Sequence, residues 1–207
     1  MTSQTGLFDE VTANIVPLDD ADLVLFPKID PGRSLDDVIA QLIDETPWSQ
    51  ETIHLYGKTH LQPRLIAWYG DPAAQYRYSG KRYEPITWTP LLTSLKASVE
   101  VLSGASFNSV LLNYYRDGAD SMGLHADDEP ELGPQPCIAS LSLGESRTLY
   151  FKHRTRAELK PYKLDLPDGS LLLMRGQTQQ HWKHGIRKLT RLCGPRINLT
   201  FRQIYPT

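Results

Sequence analysis

His125-Ala126-Asp127 sets an imidazole and a carboxylate two residues apart. An extended backbone projects residues i and i+2 to one side, as adjacent ligands of a metal require. Six histidines in the chain make an isolated match easy to reach by chance, and such a match is more often a surface histidine beside a turn aspartate. The segment R-I-N-L-T-F-R at 196–202 adds to it by strict alternation. Ile197, Leu199 and Phe201 fall on one side, and Arg196, Asn198, Thr200 and Arg202 on the other. Two guanidinium groups on one face of an inner strand are costly unless they meet an anion. Each can form paired hydrogen bonds to a carboxylate, which suits a small dicarboxylate ligand. A solvent-facing strand with ordinary polar alternation would show the same pattern.

The elements that must hold these residues can be read from periodicity. Residues 1–20 show no sustained pattern and read as an arm or an extended edge segment. Ser34 stands as an N-cap with Asp36 and Asp37 in the first turn, and Leu35, Val38, Ile39, Leu42 and Ile43 follow at helical spacing to about Thr46-Pro47. From 52 to 88 the chain is rich in Tyr, Trp, Gly and Pro and reads as short strands and loops. Thr89-Pro90 opens a second helix carrying Leu91, Leu92, Leu95, Val99 and Leu102, stopped by Ser103-Gly104. Period-two segments then run over 107–115, 136–143, 147–153, 162–166, 170–175 and 196–204. Two helices followed by a run of strands predict an α+β domain with a sandwich or barrel core and the helices on one face.

A chain of 207 residues with 40% apolar and 22% charged content can bury a sizeable core as one domain. It holds no apolar run long enough to span a membrane, and residues 1–10 have neither the basic nor the apolar region of a secretory signal. Cys137 and Cys193 form no disulfide framework or zinc spacing and read as reduced thiols, so a cytoplasmic or nucleoid-associated location is expected. The net charge of −2 hides a gradient: residues 1–51 hold 2 Lys/Arg against 11 Asp/Glu, whereas residues 147–207 hold 13 against 3. Such a basic last third either presents a cationic face to a polyanion or pairs with the acidic first third across the fold.

Taken in order, L-Y-G-K at 55–58, P-R at 63–64, Y-G-D at 69–71, N-Y-Y-R-D-G at 113–118, H-A-D-D-E at 125–129, I-A-S-L-S-L-G at 138–144, H-W-K-H at 181–184 and R-I-N-L-T-F-R form a specific series. This series resembles the AlkB family of iron(II)- and 2-oxoglutarate-dependent dioxygenases, on the branch that repairs duplex DNA. The resemblance covers about residues 53 to 204. It implies a double-stranded β-helix, or jelly-roll, core at 106–207. Ahead of this it implies an arm at 1–22 and a helical, hairpin-bearing nucleotide-recognition region at 23–105, all within one compact unit.

The resemblance implies His125, Asp127 and His184 as the ligands of Fe(II), with positions left for 2-oxoglutarate and O2. His181 competes for the third ligand but has the wrong spacing to Arg196. Arg202 and Arg196 would hold the two carboxylates of 2-oxoglutarate, with Asn113, Tyr115 and Asn198 as further contacts. The reaction implied is oxidative demethylation of bases such as 1-methyladenine and 3-methylcytosine, with ascorbate as the reductant in vitro. Tyr76 and Tyr78 would stack on a flipped cationic base, and Asp128 and Glu129 would contact its edge. Tyr56, where the family has Phe, would enter the duplex as a wedge. Arg64, Lys58 and the run Arg187, Lys188, Arg191 would meet phosphates. Ala126 stands where close relatives carry a longer, often basic or polar residue, so the resemblance implies that one contact to DNA would be missing.

A monomer acting on alkylated DNA is therefore expected, with RNA as a further substrate class. The rival readings are a single-strand DNA or RNA demethylase, a protein or small-molecule hydroxylase on the same scaffold, and an inactive nucleic-acid binding module.

Overall fold

The computed structural model describes residues 12–55, 58–74, 76–78 and 81–205. The N-terminal half contains β1 (Asn14–Val16), β2 (Asp22–Phe26), α1 (Leu35–Glu45), β3 (Thr52–Leu55), β4 (Lys58–Leu61), β5 (Leu65–Gly70), β6 (Tyr76–Tyr78), β7 (Lys81–Tyr83) and α2 (Pro90–Ser103). There follow β8 (Ser109–Tyr115), β9 (Met122–His125), β10 (Ile138–Gly144), β11 (Arg147–His153) and β12 (Tyr162–Leu166). Last come β13 (Leu171–Arg175), α3 (Thr178–His181), β14 (Trp182–Ile186) and β15 (Arg196–Arg202).

A seven-stranded sheet in the order β1-β2-β13-β10-β15-β8-β5 faces a four-stranded sheet in the order β12-β11-β14-β9. All their pairings are antiparallel. The large sheet draws β1, β2 and β5 from before residue 105. Two hairpins, β3-β4 and β6-β7, stand apart from both sheets. This is the α+β jelly-roll architecture expected, with α1 and α2 on one face of the large sheet.

The helices form where apolar spacing and end chemistry agree. Val38 and Leu42 of α1 and Leu91, Leu92, Leu95 and Val99 of α2 are buried. They pack with Val110, Leu112, Leu141, Leu199 and Phe201 in one core cluster. Thr89 caps α2 by accepting the Leu92 N–H at 3.2 Å, Pro90 opens its first turn, and Gly104 closes it at φ 67°. Ser34 occupies the N-cap position of α1, but its side chain makes no capping bond. A second cluster fills the space between the sheets, with Ile138, Leu172 and Met174 meeting Leu149, Phe151, Trp182 and Ile186.

Two strands that carry chemistry, β9 and β14, are absent from the period-two reading. Glycine, lysine and histidine interrupt the apolar alternation of W-K-H-G-I and M-G-L-H. Their pairing places His184 directly opposite His125, with an irregular register just beyond. Gly185 makes this approach possible, because an added Cβ would lie 2.8 Å from the Met122 carbonyl oxygen and 2.9 Å from that of Gly123. Gly185→Ala should therefore push β9 away from β14 and lower affinity for a divalent metal roughly tenfold or more while the sheets persist. Metal titration alongside circular dichroism checks this; unchanged affinity would remove Gly185 from the argument.

Candidate active site

β15 runs through the middle of the large sheet with every residue buried except Arg202, which is half-buried. Its apolar face meets the helices, and its polar face meets the small sheet, so the alternation at 196–202 is not that of a solvent-facing strand. Asn198 donates through Nδ2 to Ser140 Oγ at 2.8 Å and to the Leu141 carbonyl at 3.0 Å. Arg196 donates to Ser142 Oγ at 2.8 Å and lies 5.1 Å from the Tyr115 ring centroid. Its Nε and second terminal nitrogen are buried without partners. A guanidinium without a carboxylate beside it is an expensive thing to bury. Burial pushes Arg196 down from its ordinary pKa, against the opposing pull of Tyr115.

Across the cavity, His125, Asp127 and His184 each offer a ligand atom within 4.8 Å of one another. His125 Nδ1 lies 3.0 Å from the Gly123 carbonyl oxygen. A carbonyl only accepts, so Nδ1 carries the proton and Nε2 turns a lone pair toward Asp127, whose Oδ1 is 3.8 Å away. Asp127 receives Arg202 at 2.8 Å on Oδ1, and its backbone N–H donates to Gln179 Oε1 at 3.0 Å. Asp127 Oδ2 and His184 Nδ1 are buried with no partner.

Burial pushes the Asp127 carboxyl up, but the Arg202 guanidinium, with His184, His125 and the Arg202 hydrogen bond, outweighs it and holds the pKa at about 2. Burial, with His125 and Arg202 nearby, pushes His184 down to about 3 despite Asp127. At neutral pH the carboxylate is anionic and this imidazole neutral, the forms that bind a metal.

Asp20, His153 and His181 form a second cluster of the same reach. Here the chemistry differs. His153 Nδ1 accepts the backbone N–H of Arg156 at 2.9 Å and of Thr155 at 3.3 Å, so its proton sits on Nε2, 3.3 Å from Asp20 Oδ2. The nitrogen facing the cluster is thus a donor and not a ligand, and Asp20 is also paired with Arg156 at 3.1 Å.

Comparison with known proteins agrees with the first cluster. Residues 22–202 match the 2OG-Fe(II) oxygenase superfamily. The human alpha-ketoglutarate-dependent dioxygenase alkB homolog 3 is 40% identical over 190 residues, covering 88% of this chain and 66% of that protein. The mouse DNA oxidative demethylase ALKBH2 is 38% identical over 190 residues, covering 89% of this chain and 79% of that protein. The chain belongs to the AlkB family of 2-oxoglutarate- and iron(II)-dependent oxygenases. The solved structure of OsALKBH1 shares the fold at a TM-score of 0.60 and 17% identity, covering 92% of this chain and all of that one.

The iron(II), 2-oxoglutarate and O2 of this family fit the residues present. The two imidazoles and one carboxylate gathered within 4.8 Å match a cation, and the unpartnered Arg196 and Arg202 nitrogens match a dianion. Tyr115, Asn198 and both arginines line one cavity with the three metal-site residues. Asn113 is buried on β8 beside β15 and accepts Arg64 Nε at 2.7 Å, so Arg64 reaches inward to a neighbour of the cavity. Burial pushes the Arg64 pKa down. Asp128 is exposed and paired with Arg154. Glu129 stands at the edge of the site, and burial, helped by Asp127 and Asp128, pushes its carboxyl up. Tyr56 and the side chains of Tyr76 and Tyr78 lie outside the described residues.

Two residues escape sequence reasoning. Buried Gln179 holds the Asp127 backbone, and buried Arg147 donates to the carbonyls of Asp117, Asp120 and Arg187 at 3.2, 3.0 and 2.7 Å. Both act through contacts distant in the chain, for which local spacing carries no signal.

Arg196→Met should raise the stability of the ligand-free protein by about 1–4 kcal/mol, because it removes a buried charge without a carboxylate. The same change should abolish stabilisation by 2-oxoglutarate. Denaturant melts with and without 2-oxoglutarate read both effects. A second expectation concerns pH. His184 binds a proton more weakly folded, at about 3, than its ordinary 6.5, so the unfolded chain gains the proton first as pH falls. Metal-free protein should lose about 1.4 kcal/mol per pH unit below 6.5, before Asp127 contributes its own loss below about 4. Urea midpoints between pH 7 and 5 should show this slope, and His184→Asn should flatten it.

Proposed function

We propose that the chain is an oxidative demethylase of N-alkylated nucleic-acid bases, acting on lesions such as 1-methyladenine and 3-methylcytosine in DNA. The observation that carries this reading is the pairing, in one cavity, of a metal-ready His125–Asp127–His184 cluster with two arginines whose buried nitrogens lack partners. The names of the human and mouse relatives support the same class of chemistry.

When bound, iron(II) with 2-oxoglutarate and O2 supplies the oxidising power that hydroxylates the N-methyl carbon. The products of that chemistry would be formaldehyde, the unmodified base, succinate and CO2. His125, Asp127 and His184 hold the metal, and because Asp127 is already anionic and His184 already neutral, these two need release no proton to do so. Arg202 and Arg196 receive the carboxylates of 2-oxoglutarate, and Asn113, Tyr115 and Asn198 orient it. Arg202 can bridge co-substrate and metal site, since it already grips Asp127. Glu129 faces the positive charge of the alkylated base, and Tyr76 and Tyr78 enclose its ring. Tyr56 enters the stack as the base leaves it, which favours duplex substrate.

The test is mass spectrometry of matched oligonucleotides carrying one 3-methylcytosine, single-stranded and duplex, incubated with protein, Fe(II), 2-oxoglutarate and ascorbate. Loss of the methyl group from the duplex, abolished in His184→Ala, is the expected result. Succinate production with no demethylation of either form would overturn the assigned substrate.

A further inference from the structure

The outer face of the small sheet carries cations that the cavity does not use. Strand register sets Tyr150 between Lys163 and Gly185, and Lys152 opposite Lys183, so these residues share the face opposite to Leu149, Phe151 and His184. Lys152, Lys163, Lys183 and Arg187 are exposed. Asp165 is the only acid in β9, β11, β12 and β14, and its carboxylate accepts the Thr148 hydroxyl. No ion pair joins these lysines to another described residue, whereas Arg156 and Arg175 of the same basic third pair with Asp19, Asp20 and Asp22.

The arrangement works against folding. Like charges directly opposite across a strand pair repel, and Lys152–Lys183 is such a pair. Arg187 stacks 4.1 Å from the Tyr150 ring centroid, with Lys163 Nζ at 5.7 Å from the same ring. A shallow groove of about 260 Å³ runs beside them, bounded by Tyr150, Gly185, Arg187 and Leu124, and Leu124 is 44% exposed. The face therefore offers spaced cations together with a small, largely apolar trough bordered by Arg187 and Lys188, which is complementary to a chain of phosphates joined by sugars.

We infer that this outer face is a second nucleic-acid contact, a track for the sugar-phosphate backbone leading away from the base held in the cavity. Lys152, Lys163 and Lys183 meet phosphates, and Tyr150 and Leu124 meet sugar faces. This rests on the nucleic-acid reading above. It extends the contact onto the strands themselves, beyond the loop of Arg187, Lys188 and Arg191 that the family resemblance already implies.

The experiment compares the unaltered protein with K152Q/K163Q/K183Q, which keeps the stems of exposed side chains. Fluorescence anisotropy with an unmodified strand of about 20 nucleotides is read across a salt series; the slope of log affinity on log salt should become shallower by about 2 in the variant. Demethylation of a trinucleotide carrying one methylated base, too short to reach the track, should stay at the unaltered rate. An unchanged slope, with the unaltered protein binding the strand, overturns this inference alone. Absence of salt-dependent binding by the unaltered protein overturns the nucleic-acid reading and this inference with it.

Discussion

A strand in the middle of a sheet that is covered on both faces has no water on either side, so everything β15 carries must be satisfied by the protein or by what it binds. Its apolar side chains require α1 and α2 as a cover, because Ile197, Leu199 and Phe201 would otherwise face solvent. Its polar side chains are harder to accommodate. Ser140 and Ser142 of β10 take two of the donors, Asp127 takes a third, and Arg196 and Arg202 still keep nitrogens without partners. Such a deficit fits an anion arriving from outside, and the small sheet supplies the roof under which it can be held out of bulk water. Binding of such an anion would offset the cost of burying these charges.

Much of this was legible in the residues because it follows short periods. The alternation at 196–202 gave the two faces of β15, and Thr89-Pro90 with Gly104 gave both ends of α2. The H-A-D spacing pointed at two neighbouring ligand residues. What spacing could not give was the pairing of β9 with β14, whose glycines and charged residues break the alternation that marks a strand. Nor could it separate the two histidine–aspartate clusters. His125 and His153 differ by which ring nitrogen the backbone engages: a carbonyl faces Nδ1 in the first and two N–H groups face it in the second. That distinction belongs to three-dimensional hydrogen bonding and leaves no trace in composition. Arg64, read from the chain as a phosphate contact, also gives its Nε to Asn113, a tie that follows from β5 lying against β8 and that local spacing does not signal.

Charge along the chain proves to have two uses at once. Arg156 and Arg175 neutralise the acids of the N-terminal segment and β2, tying the first strands to the rest. Arg154 and Arg191 pair locally with Asp128 and Glu145. The remaining lysines of the small sheet keep their charge free of the described acids, so the basic surplus is concentrated where the fold does not consume it.

The order of the strands also bears on how the protein is made. β2 pairs with β13, about 150 residues later in the chain, and β8 pairs with β15 across roughly 90 residues. Contacts of such separation form late and slowly. During synthesis from the N-terminus, Arg196 and Arg202 emerge after all three residues of the His125–Asp127–His184 cluster, at the last strand described. A nascent chain that has not yet reached residue 202 therefore lacks part of the arginine pair proposed to receive the dicarboxylate. Synthesis itself delays assembly of an oxidising centre until the walls that contain it are in position.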